Sequence, residues 1–205
     1  MKILSISDIE LNYLYSTQIV NKFSDVDLIV SCGDLPNHYL DYITTMLNRQ
    51  LYYVYGNHTQ DIDLNRQIPH GGTNIHGKTC RDSSGLILAG VEGCNRYNYG
   101  PYQYSQAEMW LFVLNLAIPL MFNHLLYGRY LDVFITHAPP WKIHDMEDLP
   151  HHGIKAFNWL IRVFKPRIHL HGHIHVYRQD TKTTTCVNET MVINTYGFRE
   201  NTIII

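Results

Sequence analysis

The chain has 205 residues, long enough to bury a real core without disulfides or a structural metal, and it reads as a single domain over 1–205. Hydrophobic residues make up 45% and charged residues 17%, which excludes general disorder. Sixteen Lys and Arg against 18 Asp and Glu leave a formal charge of −2, so no basic excess exists for extended nucleic-acid binding. Residues 3–7 predict a first strand, and an Asp and a Glu follow too soon for a signal peptide. Residues 11–23 have mixed helical spacing. A second buried strand spans 26–31, a helix 38–49 and a third strand 51–55. This alternation predicts a parallel-rich sheet with helical crossovers.

After Gly71 come short strand candidates at 74–75, 79–81 and 86–89, separated by turn residues. Residues 110–127 are apolar over about the minimum length of a membrane span. Asn115, Pro119, Asn123 and His124 interrupt them, so the segment reads as a helix packed on the domain, or two helices meeting at Pro119. No membrane partner is expected. A helix this apolar, taken as 107–127, makes a second copy of the chain a candidate cover, and hence a homo-oligomer. Strands at 133–136, 168–170, 184–187, 191–194 and 202–205 complete the chain, with an amphipathic helix at 154–164. The sum is an α/β domain with strands in two sheets. Cys32, Cys80, Cys94 and Cys186 form no C-x-x-C pair and read as reduced thiols, which places the protein in the cytoplasm.

Five blocks fall at the ends of predicted strands: Ser7-Asp8-Ile9-Glu10, Cys32-Gly33-Asp34, Tyr55-Gly56-Asn57-His58, Thr136-His137-Ala138-Pro139 and Gly172-His173-Ile174-His175. Ligands of open α/β sheets gather beyond the carboxyl ends of strands. In extended backbone, residues i and i+2 share a side, which would pair Asp8 with Glu10 and His173 with His175. Glycines before Asp34, Asn57 and His173 allow sharp turns and close approach. Mixed oxygen and imidazole donors suit Mn, Fe, Zn, Ni or Co. Two such ions about 3.5–4 Å apart can clamp an in-line displacement at phosphorus. Each block alone is an ordinary turn or cap; all five in this order carry the reading.

That ordered set resembles the calcineurin-like metallophosphoesterases from residue 3 to 175. The tract 161–175 and Thr136-His137-Ala138-Pro139-Pro140 look especially like the small phosphodiesterase branch. The resemblance implies a four-layer α/β/β/α sandwich with two mixed sheets and a metal site at the C-terminal ends of strands. It implies that Asp8, Glu10 and His175 bind a first divalent ion, that Asp34 bridges, and that Asn57, His137 and His173 bind a second. His58 would act at the leaving group. The implied reaction is hydrolysis of a small phosphoester, a diester first, by a hydroxide bridging two metals. Mn is favoured, with Fe, Zn, Ni, Co or Mg as alternatives. The other readings are a non-catalytic binding protein on the same fold and a nuclease of short nucleic acids.

Two positions depart from the family pattern. Glu10 stands where His is usual. Thr59 follows Gly-Asn-His where an acidic residue is common, with Asp61 or Asp63 as substitutes for orienting His58. A carboxylate at Glu10 would harden the first site and favour diester monoanions over monoester dianions. Arg96 and Tyr97 are candidates for substrate binding, through bidentate contact to phosphate and stacking. His171 reads as structural, and His144, His151 and His152 as solvated loop residues.

Overall fold

The computed structural model describes residues 1–58, 69 and 71–204. Thr59, Asp61 and Asp63 lie outside the described residues, and with them the question of which group replaces the acidic residue after His58. Among the described residues, one sheet has the order β13-β1-β2-β3-β4 and a second the order β11-β12-β10-β9-β6-β5. The first is built from β1 (Lys2–Ser7), β2 (Leu28–Ser31), β3 (Leu51–Tyr53), β4 (Gly72–Asn74) and β13 (Gly197–Thr202). The second comprises β5 (Thr79–Arg81), β6 (Ile87–Val91), β9 (Val133–Thr136), β10 (Ile168–His171), β11 (Thr184–Val187) and β12 (Thr190–Asn194). The apolar pattern predicts the last strand at 202–205; it is 197–202, antiparallel to β1. A short parallel pair, β7 (Cys94–Asn95) with β8 (Gln103–Tyr104), has no apolar pattern long enough to be read from sequence.

Alternation along the strands creates the layers. In β2, Leu28 and Val30 face the other sheet, while Ile29 faces helices α1 (Ile19–Lys22) and α2 (Asn37–Leu47). In β9, Val133 and Ile135 join the inter-sheet core, and Phe134 packs beneath α3 (Gln106–Tyr127) and α4 (Lys155–Phe164). Each sheet is therefore covered on both faces, which explains the near-continuous apolar strands. The result is the four-layer α/β/β/α sandwich that the motif resemblance implies. Of the predicted helix at 11–23 only Ile19–Lys22 is helical.

The apolar segment is one continuous helix, α3, with Pro119 inside it. A capping box fixes its start: the Ser105 side chain accepts from the Glu108 N–H, and Glu108 accepts from the Ser105 N–H. Gly128, at φ 71°, closes it. Met109, Val113, Leu116 and Leu120 are buried against the second sheet. The opposite face is exposed.

Candidate metal centre

Strands β1, β2, β9 and β10, together with the segment after β3, end side by side, and their following residues converge. Asp34 Oδ2 lies 3.2 Å from His137 Nε2. Asn57 Oδ1 is 3.0 Å from the same nitrogen, and His173 Nδ1 is 3.1 Å from it. Asp34, His137 and His173 offer ligand atoms that all lie within 4.8 Å of one another.

The hydrogen bonds around this point define which atoms carry lone pairs. A carbonyl only accepts, so His137 Nδ1 donates to the Cys32 carbonyl at 2.8 Å, leaving Nε2 aimed inward. His173 Nε2 likewise donates to the Pro150 carbonyl at 2.9 Å, leaving Nδ1 aimed inward. The Asn57 amide donates to the Tyr97 hydroxyl at 3.2 Å, which turns its Oδ1 toward His137. The His58 N–H holds Asp34 Oδ1 at 2.9 Å. A carboxylate oxygen, an amide oxygen and two imidazole nitrogens thus face one another. Without a metal, a proton on His137 Nε2 serves these acceptors, but it cannot engage all of them at once, whereas a divalent cation at their centre would take all four atoms as ligands.

Asp8 sits beside this cluster. Its Oδ1 accepts the His173 N–H at 2.9 Å, while its buried Oδ2 has no hydrogen-bond partner among the described residues. An unpaired buried carboxylate oxygen is costly unless a cation occupies the space in front of it. Burial pushes the Asp8 carboxyl upward; His137 opposes that and Asp34 adds to it. For His137, burial favours the neutral ring, but Asp34 and then Asp8 outweigh it and raise its pKa to about 9. Burial, reinforced by His137, lowers His173 to about 3, so it stays neutral. The residues fit a divalent cation.

Backbone strain marks the same residues. Asp8, Asp34 and His173 have φ of 66°, 56° and 67°. The left-handed region costs an L-residue about 1–2 kcal/mol, least for Asp, Asn and His types. Gly56 and Gly172 serve close approach rather than turning: neither has a left-handed φ, yet a Cβ on Gly56 would meet the Asp34 carboxylate, and one on Gly172 would lie 2.7 Å from Asp8 Oδ2.

The structure brings together Asp34, Asn57, His137 and His173, with Asp8 adjoining. It does not bring Glu10 or His175 into the cluster. Glu10 is exposed, and its carboxylate pairs with His38 at 3.3 Å. His175 is exposed at the mouth, its Nδ1 2.9 Å from the Tyr177 hydroxyl. The same-side argument for these pairs fails because extended backbone ends too early. β1 stops at Ser7 and β10 at His171, and the left-handed Asp8 and His173 redirect the chain beyond them. The His58 side chain is exposed beside Asn57.

Arg96 is committed elsewhere: its Nη2 donates to both Glu108 carboxylate oxygens, at 2.8 and 3.0 Å, within the α3 capping box. Tyr97 does reach the centre, but through Asn57. His144, expected to be solvated, is partly buried, with Nδ1 2.9 Å from His171 Nε2 and Nε2 2.9 Å from Thr185 Oγ1. The orienting carbonyls of Cys32 and Pro150 carry no sequence signal, because any residue supplies a carbonyl.

Comparison with known proteins places the chain in a family. The model of the calcineurin-like phosphoesterase family matches residues 1–177, and the chain belongs to that family. It is therefore a metal-dependent phosphoesterase by family. Among solved structures, one 19% identical chain superposes with a TM-score of 0.65, covering 96% of this chain and 90% of its own. TT1561 of Thermus thermophilus is 15% identical, with a TM-score of 0.59 over 96% of this chain and 89% of its own. GAP50, the anchor in the inner membrane complex of Plasmodium, is 13% identical, with a TM-score of 0.51 over 95% and 70%. At these identities the likeness shows the fold. No curated protein sequence matches the chain.

Proposed function

We propose that the chain hydrolyses phosphodiesters at a centre holding two divalent cations. The observation that carries the reading is the convergence of four lone-pair atoms, from Asp34, Asn57, His137 and His173, next to the unpartnered Asp8 Oδ2. The first cation belongs among those four atoms. The second belongs at Asp8 and Asp34, and it binds more weakly, because Glu10 must leave His38 and His175 must turn inward to complete its shell. Two carboxylates and an amide oxygen beside two imidazoles favour Mn²⁺ over softer choices. Cations bound there supply Lewis acidity toward the phosphoryl oxygens and bring the pKa of a water toward neutrality.

The chain's own residues do the rest. Asp34 is held through Oδ1 by the His58 N–H, so its carboxylate is fixed before substrate arrives. The carbonyls of Cys32 and Pro150 lock the imidazole tautomers. The His58 ring stands exposed beside the centre, where it can donate a proton to a departing alkoxide.

Two clefts, each lined by residues adjoining the centre, offer room for the two arms of a diester. One of about 290 Å³ borders the loop carrying His173 and includes His175, Tyr177, Arg178 and Lys182. The other, of about 440 Å³, borders Tyr97 and includes Asn95, Tyr99 and Leu149. The test is turnover of bis-p-nitrophenyl phosphate against p-nitrophenyl phosphate by Mn²⁺-loaded protein. A higher kcat/KM for the diester is expected; a higher value for the monoester would overturn the diester assignment.

A further inference from the structure

We propose that the outer face of α3 docks the protein onto an anionic lipid bilayer, with the helix lying in the plane of the interface. The helix has 22 residues and the length and hydropathy of a membrane span, yet its inner face is committed to the second sheet. It therefore lies on a bilayer rather than crossing one. Outward, Ile118, Met121, Phe122, Leu125 and Leu126 are between 55% and 78% exposed, and Leu111 and Leu114 extend the stripe at helical spacing. Ile118, Met121, Phe122, His124 and Leu125 line an apolar groove of about 430 Å³. An apolar face of this extent marks a contact surface.

The charges beside the stripe select the occupant. On one flank α4 packs against α3 through Trp159 on Trp110, and its sequence, KAFNWLIRVF, contains Lys155 and Arg162 but no acid. Lys165 caps it. On the other flank, the Arg81 guanidinium lies over the Tyr127 ring and Lys78 precedes it in sequence; His76, edge-on to Phe112, adds no charge, because burial lowers its pKa to about 4. Arg129 follows the helix end. The acids nearby are already engaged. Glu108 holds Arg96, Asp132 is buried against Arg129, and Asp82 accepts from Tyr52; on the surface Glu189 pairs with Lys165. Those pairs also neutralise Arg129 and Lys165, so in a chain of net charge −2 the flanks of this apolar face keep Lys78, Arg81, Lys155 and Arg162 as the cations outside them.

That pattern disfavours a second copy. An isologous dimer places the same surface on both sides, so the basic flanks of one copy would face those of the other. A bilayer with anionic headgroups meets both demands, taking the apolar stripe between acyl chains and the flanking cations at the headgroups.

The experiment is flotation of the full-length protein with vesicles of phosphatidylcholine, and of phosphatidylcholine mixed with phosphatidylserine, alongside sedimentation without lipid. Binding to the mixed vesicles, weakened by salt, is expected. Phe122→Glu and Leu125→Glu, at exposed positions, should abolish it without changing Tm or phosphoesterase turnover. Arg162→Ala should weaken it about fivefold, the factor equivalent to about 1 kcal/mol per surface cation. Equal binding to both vesicles, or to neither, would overturn the proposal. So would a lipid-free dimer that Phe122→Glu dissociates, which would make the face a subunit contact.

Discussion

Binding of a divalent cation should expel one proton from His137. In the metal-free protein Asp34 and Asp8 overcome burial and hold this imidazole at a pKa of about 9. At about pH 7.5 more than nine-tenths of the rings then carry a proton on Nε2, the atom that must ligate. His173, held near 3, has none to lose. Titration of Mn²⁺ by calorimetry in buffers of different ionisation enthalpy should therefore show close to one proton released at about pH 7.5, falling toward zero by about pH 10. Below about pH 9, apparent affinity should drop about tenfold per pH unit, since one proton competes for one site. In Asp34→Asn the main group raising the His137 pKa is gone, burial prevails, and proton release at about pH 7.5 should fall well below one. Release of no proton in the unmodified protein would refute the reasoning: it would mean that His137 Nε2 does not face Asp34 as described.

Gly56→Ala places a methyl group against the Asp34 carboxylate and 2.7 Å from His137 Cε1, so affinity for the first cation should fall about 10–100-fold while β2 and β3 remain intact by circular dichroism. Tyr97→Phe removes the acceptor that orients the Asn57 amide; metal affinity should fall about fivefold, the equivalent of a hydrogen bond of about 1 kcal/mol, with little change in Tm. Burial raises the Glu92 carboxyl to about 7 from an ordinary 4.5, despite the hydrogen bond from Tyr104. A raised acid gives stability that is complete below about pH 4.5 and lost as pH climbs through about 7, so Glu92→Gln should stabilise the protein by about 1–3 kcal/mol at pH 8 and little at pH 4, as read by urea unfolding.

The α/β domain with strands in two sheets was legible because strands buried on both faces read as apolar runs, as at 3–7, 28–31 and 133–136, while the four layers followed from the family resemblance of the motifs. The residues at the centre were legible because Asp, Asn and His at strand ends are chemically distinctive. Their directions were not. Period-two reasoning places Glu10 with Asp8 and His175 with His173, but it holds only where the chain is extended, and the left-handed Asp8 and His173 end that regime. Arg96 looks like a phosphate ligand because Glu108, 12 residues away, gives no sign that it will claim the guanidinium. The outer face of α3 was legible only as composition; the basic flanks that give it meaning come from α4 and β5, distant in sequence.

The central claim is a cation held by Asp34, Asn57, His137 and His173, and the most direct measurement is the metal content and affinity of Asp34→Asn beside the unmodified protein, with diester turnover followed in the same samples. The account expects the unmodified chain to hold a tight Mn²⁺ and a weaker one. Asp34→Asn, which loses the carboxylate shared by both sites, should lose at least one ion and nearly all turnover while keeping its fold. Asp34→Asn that retains both ions and full turnover would contradict it.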